Sequence, residues 1–115
     1  MGLFSTNKSV FPWIELTSIS QLEEILNSTE KIVIFKHSIR CSISSFALRN
    51  FEREFDQNSN IPCYLLDLIS HRDVSNEIAE KLNVMHQSPQ VFLIENKNVL
   101  YTATHEQIDA TQIIK

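Results

Sequence analysis

The chain has 115 residues, of which 43% are hydrophobic and 21% are charged, and its formal net charge is −4. This composition is typical of one globular domain, which we expect over residues 1–115 with residues 1–12 loosely held. The basic residues are scattered among acidic ones, so we expect no nucleic-acid or membrane partner. No targeting segment is recognisable, and the expected location is the cytoplasm.

Glycine and cysteine are scarce, with one glycine and two cysteines, Cys41 and Cys63. The lack of a glycine-rich loop excludes nucleotide sites of the Walker or Rossmann kind. Turns must then use asparagine, serine and proline, and asparagine tolerates the left-handed conformation. Two cysteines are too few for a disulfide scaffold or a structural zinc site, so we expect reduced thiols, no metal and no tightly bound cofactor.

The first half of the chain predicts a strand, a helix, a second strand and a second helix. They cover residues 11–16, 19–26, 31–36 and 42–56. Either Ser18 or Ser20 can cap the first helix. The second strand is apolar at successive positions, which is typical of a strand buried on both faces. In the second helix we expect Ile43, Phe46 and Phe51 to face the core.

The second half predicts a strand, a helix, a hairpin of two strands and a short closing helix. They cover residues 63–68, 74–82, 91–94, 99–103 and 106–114. Asp73 or Ser75 can cap the helix, and residues 95–98 form the hairpin turn. The order predicts an α/β protein with a central mixed β-sheet flanked by helices on both faces. This is the element order of a thioredoxin-like fold.

Cys41 stands where a buried strand runs into a helix. Unpaired N–H groups and the helix dipole stabilise a thiolate there, and thiolate is the nucleophilic form of cysteine. His37 and Arg40 add positive charge nearby, and the polar residues 37–40 suggest that the thiol is accessible. The alternative is a buried structural cysteine.

Ser44 occupies the place of the second cysteine in a Cys-x-x-Cys motif. Its hydroxyl can donate a hydrogen bond to the Cys41 thiolate, but it cannot form a disulfide. Cys63 lies in an apolar strand, and we expect it to be a buried hydrophobic residue at the opposite end of the sheet. Chemistry at Cys41 then proceeds through a mixed disulfide that a further thiol releases.

Ser88, Pro89 and Gln90 precede the hairpin, where the thioredoxin fold has a cis-proline facing the cysteine. A cis-proline would leave the Ser88 backbone open to pair with an extended substrate. The alternative is an ordinary trans proline. Lys36 and His86 are more often plain surface residues, as is His37. We predict Cys41 and Ser44 as catalytic residues, and Ser88, Pro89, Gln90, Arg40 and His37 as substrate-binding residues.

Residues 36–44, the strand that contains Trp13 and the loop at residues 86–90 together resemble the YtxJ family of thioredoxin-like monothiol bacilliredoxins. The resemblance covers most of the chain. It implies removal of bacillithiol, or a similar small thiol acting as co-substrate, from S-thiolated client proteins. Arg40 and Ser42 depart from the family motif, which has threonine and proline there, and Ser42 restores an N–H donor that proline lacks.

Two other interpretations use the same fold. In one, the protein is a non-enzymatic binding or stress-sensing module. In the other, Cys41 from each of two subunits would hold an iron–sulfur cluster, as in some monothiol glutaredoxins. We expect a monomer or a weak dimer.

Overall fold

The computed structural model describes residues 11–113, and within them a five-stranded mixed sheet is flanked by three α-helices. The strand order is β1-β3-β2-β4-β5, with β1, β3 and β2 parallel and with β4 and β5 antiparallel to their neighbours. The mixed sheet predicted from the element order is confirmed. The elements are β1 (Ile14–Glu15), α1 (Ile19–Leu26), β2 (Ile32–His37), α2 (Ser42–Glu54), β3 (Cys63–Asp67), α3 (Arg72–Leu82), β4 (Gln90–Glu95) and β5 (Asn98–Thr104).

The central strand β2 separates two hydrophobic clusters. Val33 and Phe35 pack with Phe51 on the α2 side, where the ring centroids of Phe35 and Phe51 lie 5.4 Å apart. Ile32 and Ile34 pack against α1 and α3 on the other side. Successive side chains of a strand point to opposite faces, and fully burying one large apolar side chain stabilises a fold by about 1.5–3 kcal/mol. The same alternation directs the last two residues of β2 to opposite faces.

Of the three α-helices in residues 11–113, α1 alone has an N-cap side chain that accepts a hydrogen bond from its first turn. Of the two candidate caps of α1, Ser18 is the one used, since its Oγ accepts from the Gln21 N–H at 3.1 Å. Helix α3 begins at Arg72, two residues earlier than expected. The predicted caps Asp73 and Ser75 are therefore wrong, because both lie inside the first turn.

Asparagine occupies three of the five positions within residues 11–113 that have positive φ, a conformation that asparagine was expected to adopt; the other two are Lys97 and His105. Asn60, Asn83 and Asn96 have φ values of 62°, 55° and 52°. Asn96 and Lys97 form the two-residue turn between β4 and β5, and both have positive φ. Two such residues match the right-handed twist of a hairpin.

The two ends of the chain differ from expectation. The opening strand is only two residues long, and the closing helix is replaced by two 3₁₀ turns, His105–Gln107 and Ala110–Gln112. Asp109 accepts hydrogen bonds from the Thr111 N–H and hydroxyl, and such side-chain bonds compete with helical ones. Residues 1–10 and 114–115 lie outside the described part, whereas Phe11, expected to be loosely held, is buried. No helix within residues 11–113 is long and apolar enough to cross a membrane.

Candidate active site

Cys41 occupies the N-cap position of α2, four residues after β2 ends. Its N–H donates to the Ser38 carbonyl at 3.1 Å, and its own carbonyl accepts from the Ser45 N–H at 3.0 Å. The residue is partly exposed. A thiol at the positive end of a 13-residue helix is placed where a thiolate is stabilised.

Cys63 lies far from this position. The parallel register pairs Val33 with Cys63 and His37 with Asp67, which places Cys63 at the opposite end of the sheet from Cys41. The residue is buried, and burial raises the pKa of its thiol to about 12. The predicted burial of Cys63 is confirmed, and since the chain has two cysteines, neither can resolve a disulfide on the other.

Ser44 is fully buried, and its hydroxyl contacts the end of β2 instead of Cys41. Its Oγ accepts from the Ser38 N–H at 3.0 Å and lies 2.7 Å from Nδ1 of His37. Ser44 thereby connects β2, α2 and the loop that carries Cys41.

His37 is also buried, so its interpretation as a plain surface residue is wrong. Burial lowers the pKa of His37, although Asp67 and Glu52 act in the opposite direction. The ring is therefore neutral at neutral pH. The alternation that places Val33 and Phe35 against α2 also indicates this orientation of His37.

The loop before β4 reaches the same edge of the sheet as Cys41. The register of β2 and β4 pairs Lys36 with Gln90, so the preceding residue, Pro89, falls opposite His37, the last residue of β2. The Ser88–Pro89 peptide bond is cis, and the trans alternative is wrong. Within residues 11–113 the Ser88 backbone makes no hydrogen bond, and its buried Oγ has no partner. The backbone of Ser88 is therefore available to an added strand.

Gln90 and Arg40 have different surroundings. Gln90 is buried, and its side-chain amide accepts from the Gln87 N–H and donates to the Met85 carbonyl, both at 3.2 Å. It shapes the loop from inside instead of facing a substrate. Arg40 is exposed beside Cys41.

A second polar group lies on the opposite face of β2. Lys36 is fully buried, which corrects its interpretation as a surface residue, and its Nζ lies 2.8 Å from Nδ1 of His86. The Ser75 hydroxyl is 3.2 Å from the same nitrogen. Burial, assisted by Arg72, lowers the pKa of Lys36 to about 8, and burial, Lys36 and Arg72 together lower the pKa of His86. A neutral His86 can accept a hydrogen bond from the ammonium group.

Three large apolar side chains in the loop and helix on either side of Cys41 are exposed to solvent. Ile43 and Phe46 are 59% and 62% exposed, so the expectation that they face the core is wrong. Ile39, in the loop before Cys41, is 61% exposed. Ile43 and Phe46 also line a groove of about 180 Å³ together with His105 and Ile108. Exposed apolar surface of this kind marks interaction sites.

Solved structures place this arrangement in the class of thioredoxin-fold thiol proteins. A thioredoxin-fold protein assigned as an oxidoreductase is 33% identical, with 85% of this chain and 87% of that chain covered and a TM-score of 0.76. Two thioredoxins share the fold. The one from Trypanosoma brucei brucei is 17% identical, with 91% of this chain and 86% of that chain covered and a TM-score of 0.65. The one from Malassezia sympodialis is 14% identical, with 92% of this chain and 90% of that chain covered and a TM-score of 0.68.

The family follows from the sequence. The family model of the monothiol bacilliredoxin BrxC matches residues 14–113. The chain therefore belongs to the monothiol bacilliredoxin family, in agreement with the resemblance found in residues 36–44. Family and fold together support a thiol redox function.

Proposed function

We propose that the protein is a monothiol thiol–disulfide oxidoreductase of the cytoplasm that removes bacillithiol, or a similar small thiol, from S-thiolated client proteins. The observation that supports this most directly is the separation of the two cysteines. Cys41 is partly exposed at a helix start, and Cys63 is buried at the other end of the sheet. A single reactive thiol suits exchange with an external thiol.

The reaction is a pair of sulfur exchanges. The Cys41 thiolate attacks the sulfur of the small thiol in the mixed disulfide, a new disulfide forms on Cys41, and the client leaves as a thiolate that takes up a proton. A second small thiolate, or a reductase thiol, then attacks this disulfide and releases Cys41. That second thiolate supplies the electron pair of the new disulfide bond and Cys41 leaves with the pair of the broken one, so no bound cofactor is required.

Three features near Cys41 suit such a substrate. The unpaired Ser88 backbone can align an extended client segment by β-augmentation. Ile43 and Phe46 offer apolar contact area to a client surface. The exposed guanidinium of Arg40 adds positive charge where the thiolate forms.

The test is a dethiolation assay on a model protein that carries one bacillithiol mixed disulfide, with free bacillithiol as reductant. We expect Cys41→Ala to lose the catalysed release completely and the matched control Cys63→Ala to retain it. Full release by Cys41→Ala would overturn the mechanism.

Intact-mass spectrometry identifies the small thiol. The oxidised protein is offered bacillithiol, glutathione and free cysteine in equal amounts, and we expect one adduct, on Cys41, with bacillithiol favoured. The absence of any adduct would support the binding-module interpretation instead.

A further inference from the structure

The Ser44 hydroxyl can donate its hydrogen to a neighbouring acceptor. A hydroxyl has one hydrogen and two acceptor lone pairs, and the Ser38 N–H uses one lone pair. One hydrogen and one lone pair remain, and Nδ1 of His37 lies 2.7 Å away. Because Ser44 is fully buried, bulk water does not compete for them.

Two arrangements follow from the state of Nδ1. If Nδ1 carries no hydrogen, it accepts the hydrogen of Ser44. If Nδ1 carries a hydrogen, it donates to the remaining lone pair, and the Ser44 hydrogen must turn elsewhere. Ser44 is the N3 residue and Cys41 the N-cap residue of α2, and positions three apart lie on the same side of a helical turn.

We propose that His37 is a positioning residue that directs the Ser44 hydroxyl either to its own Nδ1 or to the Cys41 thiolate. In the neutral ring with its hydrogen on Nε2, Ser44 is held by His37 and the thiolate keeps its full nucleophilicity. In the protonated ring, Ser44 donates to the thiolate, which becomes more stable and less nucleophilic. The proposal rests on the proposed function only in taking Cys41 as the reactive thiol.

The charges around His37 determine when the change occurs. Asp67 on β3 and Glu52 on α2 favour the protonated ring, while burial opposes it and dominates. Continued by one residue, the register of β2 and β4 places Pro89, which carries no charge, opposite His37, and Lys36 lies on the other face of β2 over the ring of Phe92. The ring is thus neutral at pH 7, and acidification turns the hydroxyl toward sulfur.

The first experiment follows the ¹⁵N chemical shifts of the His37 ring against pH in the full chain. We expect the neutral ring to carry its hydrogen on Nε2. We also expect Cys41→Ala to lower the midpoint of the His37 titration, and this Cys41 dependence to disappear in a Ser44→Ala background. A neutral ring protonated at Nδ1 would overturn the proposal, and so would an equal effect of Cys41→Ala in both backgrounds, which would indicate a direct charge effect.

The second experiment measures the rate of Cys41 alkylation by iodoacetamide against pH. We expect the wild type to show an additional inflection at the His37 midpoint, Ser44→Ala to lose it, Ser44→Thr to restore it and the neighbouring control Ser45→Ala to keep it. Persistence of the inflection in Ser44→Ala contradicts the proposal. If Ser44→Ala does not fold, the wild-type tautomer decides the question. Alkylation needs no client and no small thiol, so its outcome is independent of the dethiolation assay.

Discussion

Lys36 and His37 are neighbours at the end of β2, but they belong to two different polar groups on opposite faces of the sheet. His37 faces α2, where Ser44 binds it and the carboxylates of Asp67 and Glu52 lie close enough to affect its pKa. Lys36 faces α3, where the charged neighbour that affects its pKa is the cation Arg72. On the α2 face, burial lowers the pKa of His37 and the two carboxylates raise it. On the α3 face, burial and Arg72 both lower the pKa of Lys36.

The difference shows how one strand end serves two purposes. On the α2 face, the contact of His37 with Ser44 lies beside the reactive cysteine. On the α3 face, Lys36, His86 and Ser75 connect β2 and α3 to the loop that leads to cis-Pro89. Four comparisons of variants and pH can separate the two roles.

The largest change in the free energy of unfolding is expected when the side chain of Lys36 is shortened. Lys36→Met keeps a long unbranched side chain beside the ring of Phe92 and removes a buried charge. Lys36→Ala leaves a cavity, so we expect it to be about 2–5 kcal/mol less stable than Lys36→Met. Urea unfolding at pH 7 measures both. Equal stability of the two variants would show that the stem contributes no packing.

The next largest difference is expected between Ser44 and Ser75, the fully buried serines of the two polar groups. Ser44→Ala leaves the Ser38 N–H without its acceptor, and an unsatisfied buried group costs about 1–3 kcal/mol. Ser75→Ala leaves His86 bound to Lys36, so we expect a loss of about 0.5–1.5 kcal/mol, the value of one ordinary hydrogen bond. The free energies of unfolding of both variants test this order. A larger loss for Ser75→Ala would mean that the α3 face is the more tightly constrained one.

Titration of Lys36 is expected at alkaline pH. Its pKa is about 8 in the folded protein and 10.5 in the unfolded chain, so the unfolded state binds more protons between these values. The free energy of unfolding of the wild type should therefore rise relative to Lys36→Met as the pH increases from 8 to 10.5. The raised pKa of Cys63 affects both proteins equally and cancels in the difference. A pH-independent difference would place the ammonium group in solvent.

The smallest effect is expected at acidic pH. Both His37 and His86 have a folded-state pKa below the unfolded value of 6.5, so the unfolded chain binds more protons and stability falls as the pH drops below that value. His37 is the more deeply buried of the two. His37→Gln should therefore remove more of this acid sensitivity than His86→Gln in thermal unfolding between pH 7 and 5. The reverse order would mean that Lys36 and Arg72 outweigh burial.

Much of the architecture could be predicted from local pattern. Apolar runs and polar turns in the sequence predicted the strands of the sheet and the three helices that flank it. Asparagine was expected to adopt the left-handed conformation, and it does so at three positions. The position of Cys41 between β2 and α2 followed from the same pattern. The local pattern did not predict the end of the chain, where hydrogen bonds to the Asp109 side chain replace those of the expected helix.

The sequence predicted where the main residues of the candidate site lie in the chain, but it did not predict which side chains contact one another. Sequence alone determined that Cys41 begins a helix and that Ser88 and Pro89 precede the hairpin. It placed the end of the strand before Cys41 at residue 36 and residues 37–40 in a polar segment, whereas in the structure the buried strand β2 continues to His37. Only the tertiary structure decided that His37 contacts Ser44, that Lys36 contacts His86 fifty positions away, and that Ile43 and Phe46 face outward. Those outcomes depend on how distant elements pack against β2, and no local pattern specifies that packing.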